Sequence, residues 1–374
     1  MVLSLAAFAA VTAEVLPVGL LSQISSDLHT TESRVGLLVS AYAVVVAVGS
    51  LPLTALITRW PRRPVLVVLL VCYAAGNALF AGTDVYPVAL AARLLAGLAH
   101  AAFFSVAIGS AVDLVPPERS GRAVAWVSAG NALALAVGVP AGTALGTAVG
   151  WRWAVAAIAA VLLVLAALAA VLLPAAPPPA ESATLGIGPA VRQRPLVLVA
   201  VTTVVLTLGH YTAFTYVSPL LAAAGIGAGS VSLVLLGYGL AGVLGLVLAG
   251  AVADRRPRPA LLAAVGGLAV ALAGLGTLGG SVPPAVAAVL LWGAAFGMLP
   301  TLLQTTALRA SPAAPDAAPA VVNATFNVGI AGGGVLGARE LLMADPPLLA
   351  LTGAALAALA VVLVALTPRG GRAS

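Results

Sequence analysis

Long apolar stretches separated by short polar loops recur along the whole chain. Cutting the sequence at charged residues and at proline and glycine clusters leaves twelve apolar segments: 2–22, 35–57, 64–83, 87–112, 122–146, 153–173, 196–221, 230–252, 260–280, 284–308, 318–342 and 347–367. Each has about the 20 residues that a helix needs to cross the hydrocarbon core of a bilayer. The pattern predicts an all-α membrane protein with twelve transmembrane helices.

Two further features of the pattern divide the chain. No basic residue precedes the first apolar segment, and other apolar segments follow it, so we interpret it as a retained helix rather than a cleaved signal peptide. Prolines and charged residues interrupt the apolar pattern at 174–195, which is typical of a polar linker. We therefore expect an N-terminal six-helix half at 1–173, a cytoplasmic linker at 174–195 and a C-terminal six-helix half at 196–374.

The two halves align without a gap at an offset of 196 residues. The offset preserves the segment boundaries and pairs Tyr42 with Tyr238, Gly49 with Gly245, Arg59 with Arg255, Pro61 with Pro257, Arg62 with Arg258, Gly97 with Gly293, Asn131 with Asn327 and Gly138 with Gly334. A biased composition produces some such matches by chance, but less readily in one constant register. The sequence therefore indicates an internal duplication, in which Glu14 corresponds to His210.

Composition supports a bilayer location. The chain is 62% hydrophobic and 7% charged, whereas an ordinary soluble domain is about 25% charged. Its 40 glycines and 26 prolines are compatible with transmembrane helices. The net charge of +6 comes from arginines in the loops, so we expect a lipid bilayer and no nucleic acid as a partner. The single cysteine, Cys72, excludes an intramolecular disulfide.

The arginines also predict an orientation. Loops after the even-numbered segments and the C-terminal tail contain Arg59, Arg62, Arg63, Arg119, Arg122, Arg192, Arg194, Arg255, Arg256, Arg258, Arg309, Arg369 and Arg372. The opposite loops contain only Arg34, Arg152 and Arg339. Since arginine-rich loops remain in the cytoplasm, we expect both termini to be cytoplasmic in a multi-pass protein of the bacterial cytoplasmic membrane.

One ionisable side chain, Glu14, interrupts the first apolar segment. A carboxylate at that depth costs on the order of 3 kcal/mol, so it should face protein or water and handle an ion or a substrate. The alternative is a structural hydrogen bond between helices. Pro17 and Gly19 follow within two turns and weaken the helix, as a moving pathway would require.

The fourth segment contains a matching basic group. Arg93, Gly97, His100 and Phe104 have the spacing of one helical face. Arg93 lies at about the same depth as Glu14, counting about 1.5 Å per residue. A guanidinium near a buried carboxylate would set its proton affinity, so Glu14, Arg93 and His210 are the candidates for proton coupling. A static pair that locks two helices is the alternative.

Other polar and aromatic residues inside the segments are candidates for a substrate cavity, although any single one is more often a packing residue. They are Tyr42, Asn77, His100, Phe103, Asn131, Tyr211, Tyr216, Trp292, Gln304, Asn323 and Asn327.

A ridge of small residues runs along the fifth segment. Its members recur at every fourth position: Gly130, Ala134, Gly138, Gly142, Gly146 and Gly150. Such a ridge allows a second helix to approach closely, and Pro140 between them adds a bend.

Enzyme motifs are absent from the sequence. It contains no H-E-x-x-H, G-x-S-x-G or phosphate-binding glycine loop, and its three histidines lie on separate segments. We therefore expect no catalytic residues, no metal and no cofactor.

Together these motifs resemble the major facilitator superfamily, and within it the drug:proton antiporter group that includes the arabinose efflux permeases. Nearly the whole chain is covered: the first helix, the Arg93 motif, the antiporter-like Gly138, Pro140 and Gly142, and the G-x-x-x-D-R loop of Gly250, Asp254 and Arg255. The first-half copy of that loop has Thr54 and Thr58 in place of Gly and Asp, but keeps Arg59, Arg62 and Arg63.

The resemblance implies a major facilitator fold, alternating access by the two halves, and proton-driven efflux of a small molecule by a monomer, with these loop residues at the gates. The sequence leaves alternatives open. An uncoupled facilitator or an importer would use Glu14 only to bind its substrate. A non-transporting membrane sensor is disfavoured by the polar residues within the spans.

Overall fold

A computed structural model describes residues 1–57, 60–116, 119–174, 194–253, 255–278, 280–311 and 317–366. Within them, twelve helices are long and apolar enough to cross a membrane. They are α1 (Val2–Gly19), α2 (Glu32–Ile57), α3 (Arg62–Ala81), α4 (Tyr86–Asp113), α5 (Ser120–Val149), α6 (Trp151–Leu172), α7 (Arg194–Phe214), α8 (Ala228–Val252), α9 (Pro257–Leu278), α10 (Val282–Ala310), α11 (Ala317–Met343) and α12 (Pro347–Leu366). The predicted all-α membrane architecture is confirmed, as expected where lipid cannot satisfy backbone polar groups.

The first helix of each half is shorter than its apolar segment. After α1 the chain turns at Leu20 and continues as a short helix at Leu21–Asp27; after α7 it turns at Tyr216 and continues as Val217–Ala223. The two turning residues have similar backbone angles, φ −117° and ψ 15° at Leu20 and φ −114° and ψ 32° at Tyr216. They are separated by the same 196-residue offset, so the duplication extends to a local break that the apolar pattern did not show.

The fifth helix is interrupted near its middle. It consists of α-helix at Ser120–Leu133, a π-helical turn at Ala134–Gly138 and α-helix at Val139–Val149. Pro140 lies just after the π turn and has no N–H to donate, which explains why the regular hydrogen-bond pattern is displaced there. Gly150, at a φ of 98°, then separates α5 from α6, in a backbone region that favours glycine.

The contacts among the described residues divide the chain into two compact units, residues 1–182 and 183–374. In the first, α1 packs on α5 and α6, α3 on α4 and α6, and α2 on α4. In the second, α7 packs on α11 and α12, α9 on α10 and α12, and α8 on α10. The same scheme in both units supports the duplication. Most of the predicted linker, at 175–193, lies outside the described residues.

A matched glycine allows a close helix crossing in each unit. A Cβ placed on Gly97 of α4 would lie 3.0 Å from the carbonyl oxygen of Tyr42 in α2. A Cβ placed on the equivalent Gly293 of α10 would collide with the carbonyl oxygen of Tyr238 in α8. The absence of a side chain thus brings each tyrosine to the face of the neighbouring helix.

Candidate functional site

The small-residue ridge of α5 positions α1, and with it Glu14. Ridge glycines face successive turns of α1: Gly130 faces Ser4 and Phe8, Gly138 faces Phe8 and Thr12, and Gly142 faces Leu16. Gly146 faces Leu20, where the chain turns after α1. The predicted close approach of a second helix is confirmed. Since α5 occupies this face of α1, the Glu14 side chain lies on another face.

The Glu14 carboxylate lies beside α4. Its Oε2 is 3.8 Å from Nε2 of His100, and the exposed fractions of the two side chains are 18% and 8%. The distance is longer than a hydrogen bond but short enough for a charge pair. Glu14 is therefore largely withdrawn from solvent and faces an imidazole that can accept or donate a proton.

Arg93 binds the main chain of α1. Its Nη1 donates to the carbonyl oxygen of Ala13 at 3.0 Å, and its Nη2 donates to the carbonyl oxygen of Glu14 at 2.9 Å. Pro17 explains the first bond, because a proline has no N–H for the carbonyl four residues earlier. The expected proximity of Arg93 and Glu14 is confirmed, but the guanidinium bonds to carbonyl oxygens and the carboxylate lies next to His100.

The predicted stripe on α4 faces one side chain of α2. The guanidinium carbon of Arg93 lies 4.4 Å from the ring centroid of Tyr42, and Gly97 abuts the same residue. His100 and Phe104 continue the stripe, with ring centroids 5.3 Å apart. Arg93 is 1% exposed, so the cation is held between α1 and α2 rather than in water.

A chain of hydrogen bonds completes this cluster. The Tyr42 hydroxyl lies 2.7 Å from Nδ1 of His100 and 2.6 Å from the Tyr73 hydroxyl. Tyr73 in turn donates to the carbonyl oxygen of Ala10 at 2.6 Å. We name Glu14, Tyr42, Tyr73, Arg93 and His100 the polar cluster. Tyr73 was not among the candidates predicted from the sequence. The available signal was a tyrosine in mid-membrane, whose hydroxyl requires a partner there.

The second unit has an aromatic cluster around the equivalent position. The ring of His210 stacks on Phe296, with centroids 3.4 Å apart and an interplanar angle of 6°. Trp292 donates from Nε1 to Nδ1 of His210 at 2.8 Å. The other members of this aromatic cluster are Tyr211, Phe214, Tyr238 and Phe326.

His210 has one unused polar atom. The side chain is fully buried, and its Nε2 has no hydrogen-bond partner among the described residues. His210, Tyr211 and Trp292 were among the candidates predicted from the sequence, but Tyr238 and the three phenylalanines were not. A phenylalanine in an apolar segment gives no signal of its own.

The remaining cavity candidates fall into two groups. Asn77 donates to the carbonyl oxygen of Tyr73 at 2.9 Å, Tyr216 to that of Gly334 at 2.8 Å, and Asn327 to that of Asn323 at 3.0 Å. Phe103 is 1% exposed within the core of the first unit. The exposed side chains are those of Asn131, Gln304 and Asn323. Asn77 thus bonds to the main chain of a polar-cluster residue, Tyr73. The role of all these candidates in substrate binding stays a prediction.

Among the predicted gate residues of the loops, Arg62, Arg63, Gly250 and Arg255 lie at or near helix ends. Arg62 pairs with Asp113 at 2.8 Å, and Arg63 donates to the carbonyl oxygen of Ala170. Arg255 is exposed, and a Cβ on Gly250 would meet nothing within 4 Å. Arg59 and Asp254 lie outside the described residues.

No group of three or more His, Cys, Asp or Glu side chains that could hold a metal occurs in the described part of the chain.

Comparison with known proteins gives consistent matches. Residues 3–338 match the Major Facilitator Superfamily. A protein of Mannheimia succiniciproducens named "Probable sugar efflux transporter" is 30% identical over 363 residues, which cover 96% of this chain and 91% of that protein.

Solved structures share the fold at low identity. The nucleoside transporter NupG matches with a TM-score of 0.81 and 12% identity, over 98% of each chain. The human organic anion transporter MFSD10 matches with a TM-score of 0.68 and 18% identity, over 97% of this chain and 98% of that one. A bacterial homologue of the lysosomal transporter Spinster matches with a TM-score of 0.70 and 13% identity, over 98% and 93%.

Proposed function

Since the chain belongs to the Major Facilitator Superfamily, whose members are membrane transporters of small molecules rather than enzymes, we propose that it is a proton-coupled exporter of a sugar. It works as a monomer in the bacterial cytoplasmic membrane, with both termini in the cytoplasm. Its two halves alternate access to the substrate site. Protons move inward as the substrate moves outward.

The observation that carries this proposal is the position of Glu14. Its carboxyl group is largely buried in a transmembrane helix and lies 3.8 Å from the imidazole of His100. A charge at that depth is costly, so protonation of Glu14 substantially lowers the free energy of the conformation in which Glu14 is buried. A group whose burial depends on its proton can link proton binding to the conformation of the helices around it.

The coupling is energetically sufficient for export. One proton moving inward through 100 mV supplies about 2.3 kcal/mol. At about 1.4 kcal/mol per tenfold, this supports a substrate gradient of about fortyfold. A single proton carrier is therefore enough for useful accumulation outside the cell.

The substrate class is proposed from two observations. The 30% identical relative is named a sugar efflux transporter. The aromatic cluster combines flat apolar rings with the unused Nε2 of His210, and small-molecule sites combine apolar walls with a few placed polar groups. A sugar offers apolar C–H faces to the rings and hydroxyl groups to the imidazole. We therefore assign His210, Tyr211 and Trp292 to substrate contact rather than to proton transfer.

The test compares sugar transport by the wild type and Glu14→Gln in proteoliposomes, with and without an imposed pH gradient. The variant keeps shape and hydrogen-bonding capacity but stays neutral. We expect it to lose gradient-driven accumulation while keeping exchange of labelled sugar at equal pH. Glu340→Gln makes the same chemical change in α11, in the second unit, and should behave as the wild type.

Two outcomes would contradict the proposal. Accumulation by Glu14→Gln at the wild-type level, normalised to inserted protein, would remove Glu14 from coupling. Sugar movement by the wild type that ignores the pH gradient would favour the uncoupled facilitator.

A further inference from the structure

We propose that Tyr73 and Tyr42 hold His100 in one tautomer, so that its bare Nε2 faces Glu14 and shares the transported proton with the carboxyl group. His100 is then a second proton-binding residue, and the two tyrosines are positioning residues. The inference rests on the proposed coupling role of Glu14. From the sequence alone, His100 was only a candidate for the substrate cavity.

Counting protons along the hydrogen-bond chain gives the tautomer. The carbonyl oxygen of Ala10 can only accept, so the single hydroxyl proton of Tyr73 is used in that 2.6 Å bond. Tyr73 must then accept at its own oxygen from Tyr42, 2.6 Å away. That uses the only hydroxyl proton of Tyr42.

The last bond in the chain follows from the first two. The Tyr42 oxygen lies 2.7 Å from Nδ1 of His100 and has no proton left to donate. Nδ1 must therefore carry a hydrogen and donate it to Tyr42. A neutral imidazole carries one hydrogen, so the neutral form of His100 has a lone pair at Nε2.

That lone pair faces the Glu14 carboxyl group across 3.8 Å. When both groups lack the proton, a carboxylate faces a lone pair; one added proton converts this repulsion into an attraction. The proton binds either Oε2, giving a neutral pair, or Nε2, giving carboxylate and imidazolium. Moving between them breaks one O–H bond and forms one N–H bond, and it requires the two atoms to approach from 3.8 Å to hydrogen-bonding distance.

The surrounding charges favour a single shared proton. The polar cluster receives Glu14 from α1, Tyr42 from α2 and Tyr73 from α3, while Arg93 is on α4 with His100. The only ionisable residue of α5, Arg122, is exposed near the beginning of that helix. The fixed guanidinium opposes an imidazolium beside a neutral carboxyl group, so it disfavours a second proton.

The second unit provides an internal control with the opposite tautomer. The indole of Trp292 can only donate, and it lies 2.8 Å from Nδ1 of His210. Nδ1 is therefore the acceptor, and neutral His210 carries its hydrogen at Nε2. One protein should show both tautomers, each set by a neighbouring aromatic hydrogen-bond group.

The experiment is ¹⁵N NMR of histidine-labelled protein in liposomes, with His29 and His100 assigned by single substitutions. In the wild type at alkaline pH we expect His100 to carry hydrogen at Nδ1 and His210 at Nε2. Tyr73→Phe removes the bond to Ala10 and frees the Tyr42 proton to point towards Nδ1. In this variant we expect a second His100 signal, with hydrogen at Nε2, while His210 stays unchanged.

The Glu14→Gln variant tests whether Glu14 and His100 share one proton. We expect His100 Nε2 in that variant to remain without a proton at pH values where the wild type is protonated there, because the carboxylate that stabilises the imidazolium is gone. A wild-type His100 with hydrogen at Nε2, or an unchanged tautomer in Tyr73→Phe, would overturn the inference and leave the coupling role of Glu14 standing. The proposed function fails separately, through the transport assay of Glu14→Gln.

Discussion

The two halves of this transporter share a scaffold but use equivalent positions for different chemistry. Position 14 corresponds to 210, and position 100 to 296; in both halves these two side chains are in contact. In the first half they are a carboxylate and an imidazole, and in the second an imidazole stacked on a phenyl ring. Both copies have kept a contact between these two positions. The first half uses it for ionisable groups, and the second for aromatic rings.

A second set of equivalent positions shows that residue differences between the halves depend on one another. Pro17 and Arg93 of the first half correspond to Ala213 and Val289 of the second. The proline leaves the Ala13 carbonyl without its helical donor, and the arginine supplies one. Ala213 has its own N–H, so the second half does not need the cation. The difference indicates that Arg93 compensates for the N–H that Pro17 lacks, as well as lying close to Glu14.

The largest expected effect tests that pairing. Arg93→Met should destabilise the protein by about 1–3 kcal/mol for each carbonyl left unsatisfied. Adding Pro17→Ala should recover part of the loss, since the new N–H can bond to the Ala13 carbonyl. Thermal unfolding of the purified single and double variants measures both effects.

A control separates repair from a general gain in helix stability. Pro17→Ala alone should change the unfolding temperature much less in the presence of Arg93 than it does in the Arg93→Met background. Equal gains in the two backgrounds would break the link between Pro17 and Arg93.

An intermediate effect concerns the matched glycines. Gly97→Ala and Gly293→Ala both add a methyl group at a helix crossing, where overpacking costs about 1–3 kcal/mol. The loss should be larger at Gly293, because its Cβ would lie closer to the Tyr238 carbonyl oxygen than the 3.0 Å at Gly97. Unfolding temperatures of the two variants compare the halves directly, and a larger loss at Gly97 would reverse the comparison.

The smallest effect concerns the matched tyrosines. Tyr42→Phe breaks a hydrogen-bond chain, so it should cost about 0.5–1.5 kcal/mol. Tyr238 contacts Phe214 and Trp292 through its ring, at 5.2 and 5.7 Å between centroids, so Tyr238→Phe keeps those contacts and should cost less. The pH dependence of accumulation should change only in Tyr42→Phe. A change confined to Tyr238→Phe would place proton coupling in the second half.

The sequence by itself determined the architecture and the main elements of the first half. Apolar length fixes the number of spans, because lipid forces the backbone into helices of at least the bilayer thickness. The α5 ridge and the stripe from Arg93 to Phe104 follow from helical periodicity, so their faces were predictable. The burial of Glu14 followed from its place inside an apolar segment.

Only the tertiary structure decided which atoms meet. Depth along a helix brought Arg93 level with Glu14, but the crossing of α1 and α4 directs its guanidinium to two carbonyl oxygens and leaves the carboxylate to His100. Tyr73 joined the polar cluster through the packing of α3, which no spacing within one segment contains. Two side chains on separate helices form a hydrogen bond only if the packing of the helices points them towards each other. That packing is a property of the whole folded protein, so the residue spacing within one segment does not reveal it.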